Sequence, residues 1–301
     1  MTKTPVFSKY QSGGQFNIID QSLTTGNVWF VNSGSAQAVD DARGGRNPDY
    51  PFATVNFAIT QCVANQGDVI YVMPGHIERF VTLACNVAGI KIIGLGHGYD
   101  RPIFANIAAV DTVLITCSTW IENISFLGNI DVSTALVTVA AVDCVIKDCV
   151  FEDLVGEATD WILTTNAAWR LLIDGCNFYC AEVAGTNSAI AIVGAQDIEI
   201  RGCYFHGDFA VGPIDVRTTA TVRLWVHDCK FWTINAADIA IIDTITTSTG
   251  NIGPNLQIMV ADHAANITEC LTGATFRYFD DIYVCNLASE KGMLINKIAS
   301  A

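Results

Sequence analysis

Five hexapeptides of this chain align without a gap: IENISF ending at Phe126, IKDCVF at Phe151, IDGCNF at Phe178, IRGCYF at Phe205 and VHDCKF at Phe231. Successive phenylalanines are 25, 27, 27 and 26 residues apart. A period of this length is the mark of a solenoid, in which no repeat buries a core alone and the stack buries a continuous one. The 301 residues then fit one domain, because each coil touches only its neighbours.

The motif has its own internal logic. Two positions before each phenylalanine stands Ile124, Cys149, Cys176, Cys203 or Cys229, and five before stands Ile121, Ile146, Ile173, Ile200 or Val226. Inward positions at −5, −2 and 0 cannot lie on one flat strand, whose side chains alternate with period 2. Something must shift the phase. The −3 position holds Asn123, Asp148, Gly175, Gly202 and Asp228, the residue types that best tolerate a left-handed backbone. The reading is a coil corner at −3 joining two short strands. Stacked coils then place Cys149, Cys176, Cys203 and Cys229 in one buried column and Phe126, Phe151, Phe178, Phe205 and Phe231 in another. A linear stack of thiols does not give tetrahedral ligand geometry and the chain has no Cys-x-x-Cys pair, so the cysteines read as core residues, with no metal and no cofactor implied.

Position −4 holds Glu122, Lys147, Asp174, Arg201 and His227. The first four alternate in sign, as an exposed ladder of adjacent strands selects. Apolar runs at 112–116, 136–139, 161–164, 189–193, 214–216 and 239–242 recur about once per coil and read as further strands. Residues 28–32 and 69–73 read as strands too. Between them 52–64 suits a short helix with Phe52, Val55, Ala58, Ile59 and Cys62 on one face, covering the bare apolar end of the first coil.

The order Phe30-Val31-Asn32, Gly44-Gly45, Pro51-Phe52-Ala53-Thr54, Ala58, Gly67-Asp68-Val69-Ile70-Tyr71-Val72 and Pro74-Gly75 resembles the opening of right-handed β-helix proteins of the pectin-lyase-like superfamily. Ile92-Ile93-Gly94-Leu95-Gly96 is similar to a turn common in that group. The resemblance covers residues 28 to about 245. It implies an all-β, single-stranded right-handed parallel β-helix. The expected organisation is an N-terminal arm at 1–27, a β-helix at 28–250 whose cap is 28–75, and a C-terminal capping or assembly tail at 251–301. That tail carries an aromatic cluster at Phe276, Tyr278 and Phe279.

Function is less constrained, since the superfamily includes polysaccharide lyases, glycoside hydrolases, adhesins and phage spike proteins, and fold does not settle function. Enzymes of this fold carry carboxylates on one outer wall. The resemblance to polygalacturonase-like hydrolases implies four motifs, of which only Asp40-Asp41 and Gly96-His97-Gly98 have counterparts here. Pectate lyases bind calcium through Asp residues beside an Arg base. Asp215 and Arg217 imitate part of that arrangement without acidic residues at the same position on flanking coils. Asp280-Asp281 reads as a solvated turn. No catalytic constellation is identified.

The formal net charge of −14, from 30 acidic and 16 basic residues, disfavours nucleic acid and anionic membrane as partners. No secretory signal and no membrane span is read, so the expected site of synthesis is a reducing host cytoplasm, where eleven cysteines stay as thiols. The reading is a non-enzymatic virion protein: a bacteriophage capsid decoration protein, head fibre or tail-spike shaft, on the virion surface. It is expected as a homotrimer bound to capsid or tail proteins, with host surface polysaccharide a further partner. The alternatives are a polysaccharide lyase or hydrolase of the phage depolymerase kind and a secreted adhesin.

Overall fold

The computed structural model describes residues 26–130, 134–153, 158–180, 185–233, 240–245, 247–259, 271–272, 276–278, 282–286 and 291–295. Residues 1–25 of the arm expected at 1–27, Phe279 and Asp280-Asp281 lie outside these. Within them the chain winds as a right-handed parallel β-solenoid. One coil shows the pattern. Thr119–Glu122 lies on the first wall, Ser125–Gly128 on the second and Ala135–Val139 on the third. Val145–Lys147 then returns to the first wall beside its predecessor. Among the described residues the three walls hold ten, ten and eight strands. The strands pair in parallel, apart from Lys291–Ile295, which turns back antiparallel on Ile282–Asn286. The apolar runs expected as strands near 112–116, 136–139, 161–164, 189–193, 214–216 and 239–242 all fall on the third wall (Ile239 lies outside the described residues).

The corner is where the motif places it. Asn123, Asp148, Gly175, Gly202 and Asp228 have φ of 57°, 51°, 64°, 61° and 55°. Each also hands its N–H to the next coil: Asn123 to the Lys147 carbonyl (3.0 Å), Asp148 to Asp174 (2.8 Å), Gly175 to Arg201 (3.0 Å), Gly202 to His227 (3.3 Å) and Asp228 to Pro254 (2.6 Å). The left-handed residue therefore turns the chain without breaking the coil-to-coil hydrogen bonding, so no buried donor is left orphaned at the bend.

A second left-handed column was not read from the sequence. Asp143, Arg170, Asp197 and Arg223 have φ of 56°, 55°, 54° and 59°. Each stands eight residues before a column phenylalanine, at the turn into the first wall. Asp143 pairs with Arg170 (2.5 and 2.8 Å) and Asp197 with Arg223 through both carboxylate oxygens. Arginine is a poor left-handed residue, which hid the corner. Its fork on the aspartate of the neighbouring coil helps to offset that cost.

In-register pairing sets Phe126, Phe151, Phe178, Phe205 and Phe231 opposite one another. Their rings stack at 4.8, 5.0, 4.8 and 4.7 Å, tilted by no more than 15°. All five are fully buried. Phe104 extends the column one coil back by an edge contact at 5.8 Å. Its sequence signature is lost because the corner of that coil swells into residues 95–102. Beyond area burial, each such ring pair contributes about 0.5–1.5 kcal/mol. Beside the rings Cys149, Cys176, Cys203 and Cys229 are buried free thiols. Three of them donate back to the preceding coil, Cys176 to the Ile146 carbonyl (3.6 Å), Cys203 to Ile173 (3.8 Å) and Cys229 to Ile200 (3.7 Å). Burial pushes the Cys176 and Cys229 thiols up, so they stay protonated and inert.

The helix is shorter than expected, spanning Val55–Gln61 and burying Val55, Ala58 and Ile59. Thr54 caps it, accepting from the Phe57 N–H at 3.2 Å, and Cys62 is already extended. Phe52 is buried ahead of the helix rather than on it.

Past residue 250 the coil continues where the sequence repeat fades. Gly250–Ile252 joins the first wall and Leu256–Met259 the second. Ile252 to Gln257 is a gap-free sixth copy of the motif with altered occupants: Asn255 follows Cys229 in the thiol column, and Gln257 pairs with Phe231 in the ring column. Asn255 accepts from the Cys229 N–H (3.0 Å) and donates to the Val226 carbonyl (3.1 Å), so a polar side chain is satisfied where the thiols end.

Cys176→Asp is expected to lower the unfolding free energy by more than about 3 kcal/mol, since a charge there has no partner. Cys176→Ala is expected to cost about 1 kcal/mol and Cys176→Val about 1–2 kcal/mol. Urea titrations of the three variants check this, and equal tolerance would place the thiol outside the core.

Candidate functional site

The residues that the sequence suggested for hydrolase chemistry are dispersed and committed elsewhere. Asp40 accepts from the Ala53 and Thr54 N–H groups (2.8 and 3.2 Å) and from the Thr54 hydroxyl (2.8 Å), which fixes the helix start. Asp41 pairs with Arg43 at 2.5 Å. His97 sits in the swollen corner, exposed, and the same loop is pinned from below by Asn123, whose amide donates to the Gly94 and Gly96 carbonyls (2.8 and 3.0 Å). Nothing joins these groups into one site.

Asp215 and Arg217 do belong to a cluster, on the third wall. The strand Ile214–Val216 turns Ile214 and Val216 inward, which leaves Asp215 and Arg217 on the outer side. Asp160 opens the strand Asp160–Thr164 two coils back, directly opposite Ser188. Arg217 binds Asp160 Oδ2 through Nη2 in a very short ion pair and Asp215 Oδ2 through Nη1 at 3.2 Å. One coil on, Asp243 stands opposite Val216, and its Oδ1 accepts from the Ile245 N–H at 2.7 Å.

These are buried acids: the side chains of Asp160 and Asp215 are 1% and 4% exposed, and Asp243 is buried. One oxygen of each, Asp160 Oδ1, Asp215 Oδ1 and Asp243 Oδ2, has no hydrogen-bond partner, and the Ser188 hydroxyl, on the residue opposite Asp160, has none either. Burial pushes the Asp160 carboxyl up to about 6, against the pull of the Arg217 charge and with the push of Asp215. Burial also raises Asp215, opposed by Arg217 and helped by Asp243, and it raises Asp243. Asp160 and Asp215 share one guanidinium and burial raises all three carboxyls, so the cluster favours holding a proton. Among the described residues no group of three or more His, Cys, Asp or Glu side chains is placed to hold a metal ion.

Asp160 and Asp243 were missed because the pattern of the repeat does not index the third wall. Asp160 follows Phe151 by 9 residues, Asp215 follows Phe205 by 10 and Asp243 follows Phe231 by 12. The alternation of signs at −4 fared better. Glu122, Lys147, Asp174, Arg201 and His227 stand opposite one another in turn, with Lys147–Glu122 at 3.4 Å and Arg201–Asp174 at 3.0 Å.

No protein-family model matches the sequence, and no curated protein matches it. Solved structures do match by fold. A pectate lyase, Pel9A, superposes with a TM-score of 0.61 at 10% identity, over 87% of this chain and 70% of its own. A rhamnogalacturonan lyase gives 0.53 at 11% identity, over 91% and 86%. A Geobacillus virus E2 protein, ORF18, gives 0.41 at 13% identity, over 88% and 63%. The two lyases share the parallel β-helix fold of this chain, and identities this low speak for fold alone.

Asp160 takes up its proton near pH 6 in the folded chain and near 3.8 when unfolded. Between those values the folded state holds a proton that the unfolded state lacks, so this group's contribution to stability grows as pH falls from about 7 to 4 and is lost as pH rises through 6. Asp160→Asn is expected to flatten that slope and to raise the unfolding free energy at pH 8 by about 1–3 kcal/mol. Urea midpoints measured at pH 5 and 8 decide it, and parallel shifts of both proteins would contradict the assignment.

Proposed function

We propose that this chain is a non-enzymatic structural protein of a virion surface: a capsid decoration protein, head fibre or spike shaft, assembling as a homotrimer on capsid or tail proteins. The observation that carries this reading is the state of the third wall. The wall that could serve as a catalytic surface has its arginine clamped between two buried carboxylates. An arginine held as a cation between Asp160 and Asp215 is a poor acceptor for a substrate proton, and carboxylates closed to solvent are not open to a cation. The columns of stacked rings, thiols and alternating charges suit a stiff shaft whose coils must hold register. In this reading the helix at Val55–Gln61 covers one end of the solenoid, and the antiparallel strand Lys291–Ile295 closes the other and contributes to subunit contacts.

Mass spectrometry of purified particles tests the proposal. Hundreds of copies per particle would mean decoration, a few would mean a spike, and absence from the particle would end it.

A polysaccharide lyase or hydrolase is the second reading, favoured by the gathering of Asp160, Asp215 and Asp243 on one wall with their carboxyls raised. It expects unsaturated uronates or new reducing ends from host polysaccharides, abolished by Asp215→Asn. Turnover of that kind would replace the structural reading.

A further inference from the structure

The outer side of the second wall carries a patch that neither reading uses. Phe178, Phe205 and Phe231 point inward, so their strand neighbours Tyr179, Tyr204, His206, Lys230 and Trp232 point out. They lie in two adjacent columns that run along the solenoid. In one, Tyr204 stands opposite Lys230; in the other, Tyr179, His206 and Trp232 succeed one another on consecutive coils. The rings form a connected surface: Tyr179 to Tyr204 at 5.9 Å, Tyr179 to His206 at 6.2 Å, Tyr204 to His206 at 6.0 Å and His206 to Trp232 at 6.2 Å. The Lys230 ammonium lies 5.0 Å from both the Tyr204 and Trp232 ring centres. Tyr179 is 40% exposed and the other members are half-buried, so the patch as a whole is reached by solvent.

We infer that this platform binds a neutral linear glycan lying along the solenoid axis. Three features select that ligand. Each ring sits beside a hydrogen-bonding group (phenol hydroxyl, imidazole or ammonium), which matches a sugar ring with an apolar C–H face and a polar rim. An apolar protein partner would instead call for contiguous aliphatic surface. Consecutive rungs repeat at the strand spacing of about 4.8 Å, close to the length of one sugar unit, so successive rings of a straight chain meet successive rungs. The cation of the patch already rests on two aromatic faces, and the protein bears a formal charge of −14, which together favour an uncharged chain over a polyanion. The inference does not depend on the third wall, and it goes beyond the shaft reading by giving one wall a receptor role.

The test uses the full chain with three soluble probes: cellohexaose, N-acetylchitohexaose and hexagalacturonate, followed by tryptophan emission and by saturation-transfer NMR. At least one neutral hexasaccharide is expected to bind. Trp232→Ala and Tyr204→Ala are expected to weaken that binding by at least about tenfold. Trp232→Phe is expected to retain most of it, and Trp225→Ala, on the first wall, all of it. Far-ultraviolet circular dichroism and the urea midpoint show which variants are folded, and the phenylalanine variant carries the comparison if an alanine variant is not. No binding of either neutral probe at millimolar concentration, binding untouched by all second-wall variants, or tighter binding of hexagalacturonate would overturn the inference. Binding without new reducing ends supports the platform and keeps the structural reading. Binding with turnover supports the platform and removes that reading.

Discussion

The left-handed residue at the coil corner is the constraint on which the rest of this structure depends. A parallel solenoid must bend its chain and still carry every backbone hydrogen bond on to the next coil. Asn123, Asp148, Gly175, Gly202 and Asp228 do both at once, reversing the phase of inward side chains and donating onward. Without that phase change, the isoleucines of the first wall and the rings of the second could not face the same interior. The second left-handed column, Asp143 to Arg223, solves the same problem at the entry to the first wall. Its pairing of opposite charges gives arginine a place where backbone preference alone would not.

Columns have a consequence for charge. Parallel in-register strands put equivalent positions next to one another, so any ionisable column must alternate in sign or repel itself. The first wall follows this rule through Glu122, Lys147, Asp174 and Arg201. The third wall departs from it, setting Asp160 and Asp215 on Arg217 with Asp243 one coil on, and leaving buried oxygens unpartnered. A departure from the pattern that stabilises the remainder of the solenoid marks that wall as the place where stability was not the sole requirement. The second wall departs differently, exposing rings where the first wall exposes ion pairs.

Much of the fold could be read from residues alone. The five phenylalanines, the thiols and the corner residues sit where the motif placed them, because a gap-free repeat with short corners ties sequence spacing to spatial position. The helix was recognised but overextended by its apolar face, since Phe52 and Cys62 pack from extended backbone on either side. The fading of the repeat after 250 was a change of occupants rather than of path. Asn255 and Gln257 take the slots of cysteine and phenylalanine, and a pattern search keyed to apolar identity loses the coil while its strands go on pairing.

The sequence by itself determined the solenoid, its period, the contents of its core columns and the alternation of charge on the first wall. All of these follow from local backbone preference and from apolar spacing within a few residues. Only the tertiary structure decided what the third wall brings together. The connections leading to it differ in length from coil to coil, so the register of Asp160, Asp215, Arg217 and Asp243 is set by strand pairing and core packing rather than by spacing along the chain. The same holds for the aromatic platform: its residues are legible one by one, but their union into a surface exists only once the coils are stacked.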